Sequence, residues 1–93
     1  MLVTFDYWLS FGKGHSGESC VEMEITDEEC KRLRDAQETE FEFYECEMVA
    51  DIYKRVYALA DEDATNDLRA EGILGEGKRA RDRYPIEVLY PDL

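Results

Sequence analysis

Basic residues are scarce in this chain, with 11 Lys and Arg against 23 Asp and Glu, a formal net charge of −12. Affinity for nucleic acid comes largely from cations that neutralise phosphates, so direct nucleic-acid binding is not expected. An anionic membrane surface is disfavoured for the same reason. No apolar run approaches the ~20 residues of a membrane-spanning helix, and no basic-then-apolar segment opens the chain as a signal peptide would.

Histidine occurs once, as His15. Acid–base and nucleophilic catalysis most often hold a histidine beside a nucleophile. Nothing around His15 would fix its orientation, so no catalytic residue is assigned and a non-enzymatic protein is expected. Cys20, Cys30 and Cys46 have no CxxC spacing. Without an export signal they read as reduced thiols in a cytoplasmic protein. No cofactor is implied.

Apolar material is ample: 44% of residues are hydrophobic, enough for one domain over residues 1–93 to pack a core. Val3, Phe5, Tyr7, Leu9 and Phe11 alternate with Thr4, Asp6, Trp8 and Ser10, which predicts a strand. Val21, Met23 and Ile25 alternate with Cys20, Glu22, Glu24 and Thr26, a second strand with one acidic face. Between them "GKGHSGES" resembles a phosphate cradle in composition only. A phosphate loop needs GxxxxGK[ST] and a following helix, whereas here Lys13 precedes most of the glycines and a strand follows, so the stretch is read as a hairpin loop.

Thr26 with Glu29 fits a capping box, predicting a helix over 27–38 with Cys30, Leu33 and Ala36 inward. Thr39 and Glu42 repeat the spacing, predicting a second helix over 40–60 with Phe41, Tyr44, Met48, Ile52, Val56 and Leu59 on one apolar stripe. Cys46, Val49, Tyr53, Tyr57 and Ala60 form a second stripe, so this helix is expected to be buried on much of its circumference. A strand over "ETEFEF" is the rival. "DEDATNDLRAEG" suggests a third helix ending at Gly72. "YPIEVLYPDL" reads as a short strand bounded by prolines, with Ile86, Val88 and Tyr90 on one face. The expected fold is α+β: a small, mainly antiparallel sheet, made of a β-hairpin and a C-terminal strand, with two to three helices on one face, in the order β-β-α-α-(α)-β.

Two segments invite site readings. From Asp61, "DEDATND" begins like a calcium loop, but the glycine and the final glutamate that such loops need are missing. No metal ligand is assigned, and the segment is read as a helix end followed by the N-cap of the next. "KRARDR", Lys78 to Arg83, is read as a solvated loop, with folding back onto acidic neighbours as its rival.

The largest anomaly lies between Glu18 and Glu47, where 12 of the 23 acids face only Lys31, Arg32 and Arg34. On a continuous helix Glu38 and Glu42 would be like-charge neighbours, costing about 0.2–0.5 kcal/mol. Glu22, Glu24, Glu38, Glu40, Glu42, Glu45 and Glu47 are therefore the candidate partner-binding residues. Trp8 joins them as an aromatic pointing away from the helices. A one-signed face steers encounter with a basic protein surface, and a nucleic-acid-binding protein whose phosphate groove the carboxylates occupy is the sharpest form of that expectation. The alternative is an acidity that serves only solubility, in a protein that forms a homodimer through the Trp8 face.

Overall fold

In the computed structural model, residues 1–12 and 15–93 are described. Strand β1 (Leu2–Gly12) and strand β2 (His15–Glu24) pair antiparallel, with Val3 opposite Met23, Phe5 opposite Val21 and Tyr7 opposite Ser19. Strand β3 (Ile86–Val88) joins the other side of β1, also antiparallel, with Tyr7 opposite Val88 and Leu9 opposite Ile86. The order is β2-β1-β3, and the chain is α+β as the alternation predicts. Val3, Phe5, Tyr7 and Leu9 are buried, whereas Leu2, Thr4, Asp6, Trp8 and Ser10 are exposed. The prolines set the length of β3. Ser10 donates its amide to the Pro85 carbonyl and Leu89 donates to Asp6. The next amide in that register belongs to Pro91, which has no N–H to give.

The glycine-rich stretch is mostly strand, which corrects the hairpin-loop reading of Gly12 to Ser19. The phenyl ring of Phe11 covers Gly17, and a Cβ there would stand 3.2 Å from the ring. Glycine is present in this strand because an aromatic ring approaches its backbone. Lys13 and Gly14, and the side chain of His15, lie outside the described residues.

Helix α1 (Asp27–Gln37) starts on the predicted capping box. Glu29 donates its amide to Thr26 Oγ1 at 3.1 Å, and Thr26 donates its own to Glu29 Oε1 at 2.9 Å. Cys30, Leu33 and Ala36 are buried. Thr39 starts no helix: its hydroxyl donates to the Ala36 carbonyl at 2.6 Å and accepts from the Phe41 amide, closing off α1 instead.

The chain then makes two 3-10 turns, Phe43–Glu45 and Glu47–Val49, before helix α2 (Ala50–Ala70) begins. The predicted helix over 40–60 is thus corrected at its first half, and so is the inward placement of Phe41, Tyr44 and Met48, which are 60%, 56% and 48% exposed. Cys46 and Val49, of the second predicted stripe, are buried, and with them Phe43, which belonged to neither stripe. Their spacing is the period of three of a 3-10 helix. It gives way to steps of four at Ile52, Val56, Ala60, Ala64 and Leu68, all buried, where the α-helix takes over. Phe43 stacks between Phe5 (centroids 6.2 Å apart) and Tyr90 (4.9 Å), which packs this segment beneath the sheet.

Helix α2 continues unbroken through "DEDATND", so the predicted break between a second and third helix is also corrected. It ends at the predicted glycine. Gly72 has φ +75, its amide bonds to the Arg69 carbonyl, and the Ile73 amide bonds to the Leu68 carbonyl. That pair of bonds is a Schellman ending.

The continuity has a cause eighteen residues further on. Asp61, 2% exposed, accepts from Arg79 Nε at 2.9 Å and Nη2 at 2.7 Å, both on Oδ2, and from the Arg81 amide on Oδ1 at 3.0 Å. Thr65 Oγ1, fully buried, accepts from the Ala80 amide at 3.0 Å. One face of α2 therefore supplies the first amides of the short helix α3 (Ala80–Arg83) with acceptors. The solvated-loop reading of "KRARDR" is replaced by its rival, and both oxygens of the carboxylate that opens the calcium-like stretch are occupied by arginines.

Candidate partner-binding face

Because the helices cover the odd-numbered side of β1, the even-numbered side is left open. Side chains in register share a face. Opposite Leu2, Thr4, Asp6, Trp8 and Ser10 stand Glu24, Glu22, Cys20, Glu18 and Ser16 on β2, and Glu87 on β3 stands opposite Trp8. Asp6, Glu18, Glu22, Glu24 and Glu87 are all exposed, and no Lys or Arg shares these strand positions.

Trp8, 40% exposed, is the centre of this surface. Glu18 lies across from it on one neighbouring strand and Glu87 on the other. A shallow depression flanks the indole on each side. One, of about 340 Å³, is lined by Asp6, Glu18, Cys20 and Leu89, and the other, of about 330 Å³, by Ser10, Ser16, Pro85 and Glu87. Leu89, half-buried, sits with Trp8 as the sheet parity predicts.

Glu22 and Glu24 alternate along β2, about 6.8 Å apart at ~3.4 Å per residue. Glu24 is the partly neutralised member, since the amino group of Met1 lies 2.9 Å from its Oε1. That hydrogen bond raises the pKa of the amine above its ordinary value.

The other candidate acids occupy the far side of the sheet. Glu38 caps the C-terminus of α1, Glu42 precedes the first 3-10 turn, and Glu45 and Glu47 belong to the two turns. They and Glu40 are exposed. Tyr44 shows where this segment meets the sheet: its phenol is held above the ordinary tyrosine value by the charge of Glu45 first, with Glu42 and Glu87 adding to it. The first 3-10 turn packs against β3, and Glu42, Glu45 and Glu87 all act on the Tyr44 phenol. Glu22 and Glu24 are on the β2 edge, with β1 between the two groups. The Glu38–Glu42 repulsion does not arise, because the two are not on one helix.

Two arginines act across elements, Arg32 from within the acidic stretch and Arg55 from beyond it. Arg32 donates to Asp51 Oδ1 at 2.6 Å and Oδ2 at 3.2 Å, and to the Met48 carbonyl at 2.6 Å. The Arg32 guanidinium lowers the Asp51 carboxyl below its ordinary value. Arg55 pairs with Glu29, the glutamate of the capping box. These contacts fix α1 against the start of α2. At the Leu2 end of the sheet face the Met1 amine pairs with Glu24, and Arg34 shares a depression with Leu2, Thr4 and Asp6.

Asp6, Glu18 and Glu87 were not among the candidate partner-binding residues, although Glu18 opens the acidic stretch. Their signal is parity: Asp6 and Glu87 alternate with buried residues, and Glu18 stands cross-strand from Trp8. Cys20 is exposed on the same face, whereas Cys30 and Cys46 are buried. Chemically the surface is a negative field around one aromatic ring, a setting that receives a Lys or Arg over the ring face while carboxylates accept its N–H groups.

No family model, curated protein or solved structure matches the chain.

Proposed function

We propose that this protein acts by binding a basic surface of another protein through the open sheet face centred on Trp8, without catalysing a reaction. One observation carries the reading: an exposed tryptophan stands among Asp6, Glu18, Glu22, Glu24 and Glu87 with no cation in the same strand positions. Exposed aromatics of this kind are frequent centres of binding energy, and the surrounding charge raises the encounter rate with a cationic partner. A homodimer through the same face is the weaker reading, because two-fold pairing sets one patch against its own copy and so carboxylates against carboxylates.

A nucleic-acid-handling protein is the partner of this kind with the most cations on its surface, and blocking it is the sharpened form of the proposal. The carboxylates are sparse beside a duplex, which carries one charge per ~1.7 Å of axis. The blocker would therefore hold a few Lys or Arg residues around Trp8 rather than replace a length of DNA.

Trp8 is the chain's one tryptophan, so its emission reports this face directly. The test is capture of partners from lysate on the immobilised protein, followed by titration of each captured protein against Trp8 fluorescence. The expected result is a basic protein that shifts the emission, elutes with moderate salt, is displaced by duplex DNA, and is lost on Trp8→Ala or on Glu18→Gln with Glu87→Gln. Capture that ignores both variants overturns the proposal.

A further inference from the structure

Among the described residues strand β2 has a partner on one side only. In an antiparallel pair alternate residues turn their N–H and C=O groups to the same neighbour. The Ile25 amide donates to the Met1 carbonyl, so the odd-numbered residues of β2 face β1. On β1 the even-numbered residues face the other way, since Ser10 donates to Pro85 and Asp6 accepts from Leu89. The backbone groups of Glu18, Cys20, Glu22 and Glu24 therefore point outward from the sheet, and none of them enters a backbone hydrogen bond on that side among the described residues.

Two surfaces flank this open edge. Above it, on the helix-free face, β2 carries Glu18, Glu22 and Glu24. Below it a trough of about 400 Å³ separates β2 from α2, with Val21 and Leu59 as its apolar part and Glu22, Glu62, Asp63 and Asn66 around it. From Ser16 to Glu24 the strand contains no Lys or Arg.

We propose that the partner of the acidic face docks as an added strand on β2, through an extended segment with Lys or Arg at alternate positions. This rests on the basic-partner reading and specifies how that partner is held. Directly opposed side chains on neighbouring strands lie ~4.5–5.5 Å apart at Cβ, which sets the segment's upper side chains against Glu18, Glu22 and Glu24. The side chains of opposite parity enter the trough beside Leu59, where a short apolar or a cationic residue fits between Glu62 and Asp63. Main-chain bonds to Cys20 and Glu22 supply register and affinity, as in other cases of strand addition. The same glutamates make the edge selective. Charged side chains are a common protection against edge-to-edge pairing, and here they repel a second copy of this acidic chain while attracting a cationic segment.

The probe is a synthetic peptide alternating lysine with valine, and the readout is amide hydrogen exchange by NMR. Binding should slow exchange at Cys20 and Glu22, whose amides point outward, and leave Val21 and Met23, already bonded to β1, unchanged. Cys20→Pro removes one outward N–H without altering charge or the β1 ladder, because an edge strand tolerates proline on its open side. It should weaken the peptide by up to about tenfold, the upper end of what one lost main-chain hydrogen bond is worth. The same peptide N-methylated on alternate residues gives an independent arm with the protein unaltered, and should weaken by a similar factor. Binding with no added protection at Cys20 and Glu22, or binding equally tight after N-methylation, overturns strand addition and leaves the acidic-face reading in place. If neither peptide binds and Trp8→Ala changes no partner capture, both readings fall together.

Discussion

Arg79 donates both Nε and Nη2 to one oxygen of Asp61, at 2.9 and 2.7 Å. The aspartate is 3% exposed at its side chain and the arginine 39%, so the two ends of the pair differ in what they lose when it is broken. Without Arg79 a carboxylate is left buried, with the Arg81 amide, the Thr65 hydroxyl and the Arg81 Nε at 4.0 Å as its remaining partners. Without Asp61 the guanidinium turns to water. Arg79→Met should therefore cost about 2–4 kcal/mol, below the upper range for buried pairs because Arg79 is partly hydrated. Asp61→Asn keeps an acceptor and should cost about 1–2 kcal/mol. Denaturant unfolding of both variants and the double variant checks the order, and the double variant should be less destabilised than the sum.

Tyr44 tests how the first 3-10 turn meets β3. Its phenol is raised by Glu45, Glu42 and Glu87 across an exposed surface, and such interactions are screened within ~3 Å at about 1 M salt. Its titration should move down towards the ordinary 10.0 as salt is added. Tyr7 should stay high, because burial and the 2.6 Å bond it donates to Asp63 hold it there. Absorbance titrations of wild type against Tyr44→Phe isolate the residue. Glu45→Gln should lower its value more than Glu87→Gln does.

Tyr90 has a buried hydroxyl with no hydrogen-bond partner among the described residues. An unpaired buried polar group is a cost, so Tyr90→Phe should raise stability by about 1 kcal/mol at neutral pH. Burial also pushes the phenol from 10.0 up to about 12. The folded state then favours the protonated form. Its contribution is complete below pH 10.0 and is lost as pH rises towards 12, while the unfolded chain ionises first. The variant should lack this component of alkaline destabilisation, read from denaturant midpoints on either side of pH 10.0.

The parts of the fold legible in the sequence are those decided by neighbours along the chain. Alternation over Val3 to Leu9 set both faces of β1 and the outward side of Trp8. Thr26 and Glu29 satisfy each other within one turn, so the start of α1 needed no tertiary information. The parts that were missed depend on distant partners. Asp61 and Thr65 follow the buried step of four from Ala60, but two polar residues there look like punctuation until Arg79 and the α3 amides occupy them. Thr39 has the spacing of a cap and instead closes the helix before it. The acidic face was only half legible. Glu22 and Glu24 stood out by density, whereas Asp6, Glu18 and Glu87 belong to the face through the register of three strands.

The segment from Phe41 to Val49 gives the sharpest contrast between neighbours of like chemistry. A helix begun at Thr39 would bury Phe41 and expose Phe43, whereas the 3-10 period buries Phe43 to 1% and leaves Phe41 60% exposed. Phe43 stacks on Phe5 and Tyr90 and meets Tyr53 edge-on at 5.1 Å, linking β1, α2 and the end of the chain. Truncating it removes ring contacts and leaves a cavity that three aromatic neighbours cannot fill. Phe43→Ala should cost about 3–5 kcal/mol, while Phe41→Ala should stay within about 0.5 kcal/mol. Thermal unfolding of the pair checks this. A larger loss from Phe41→Ala than from Phe43→Ala would mean that the 40–49 segment packs as the helix its capping spacing suggests. A loss confined to Phe43→Ala is the result the period of three requires, with Phe43 inward and Phe41 outward.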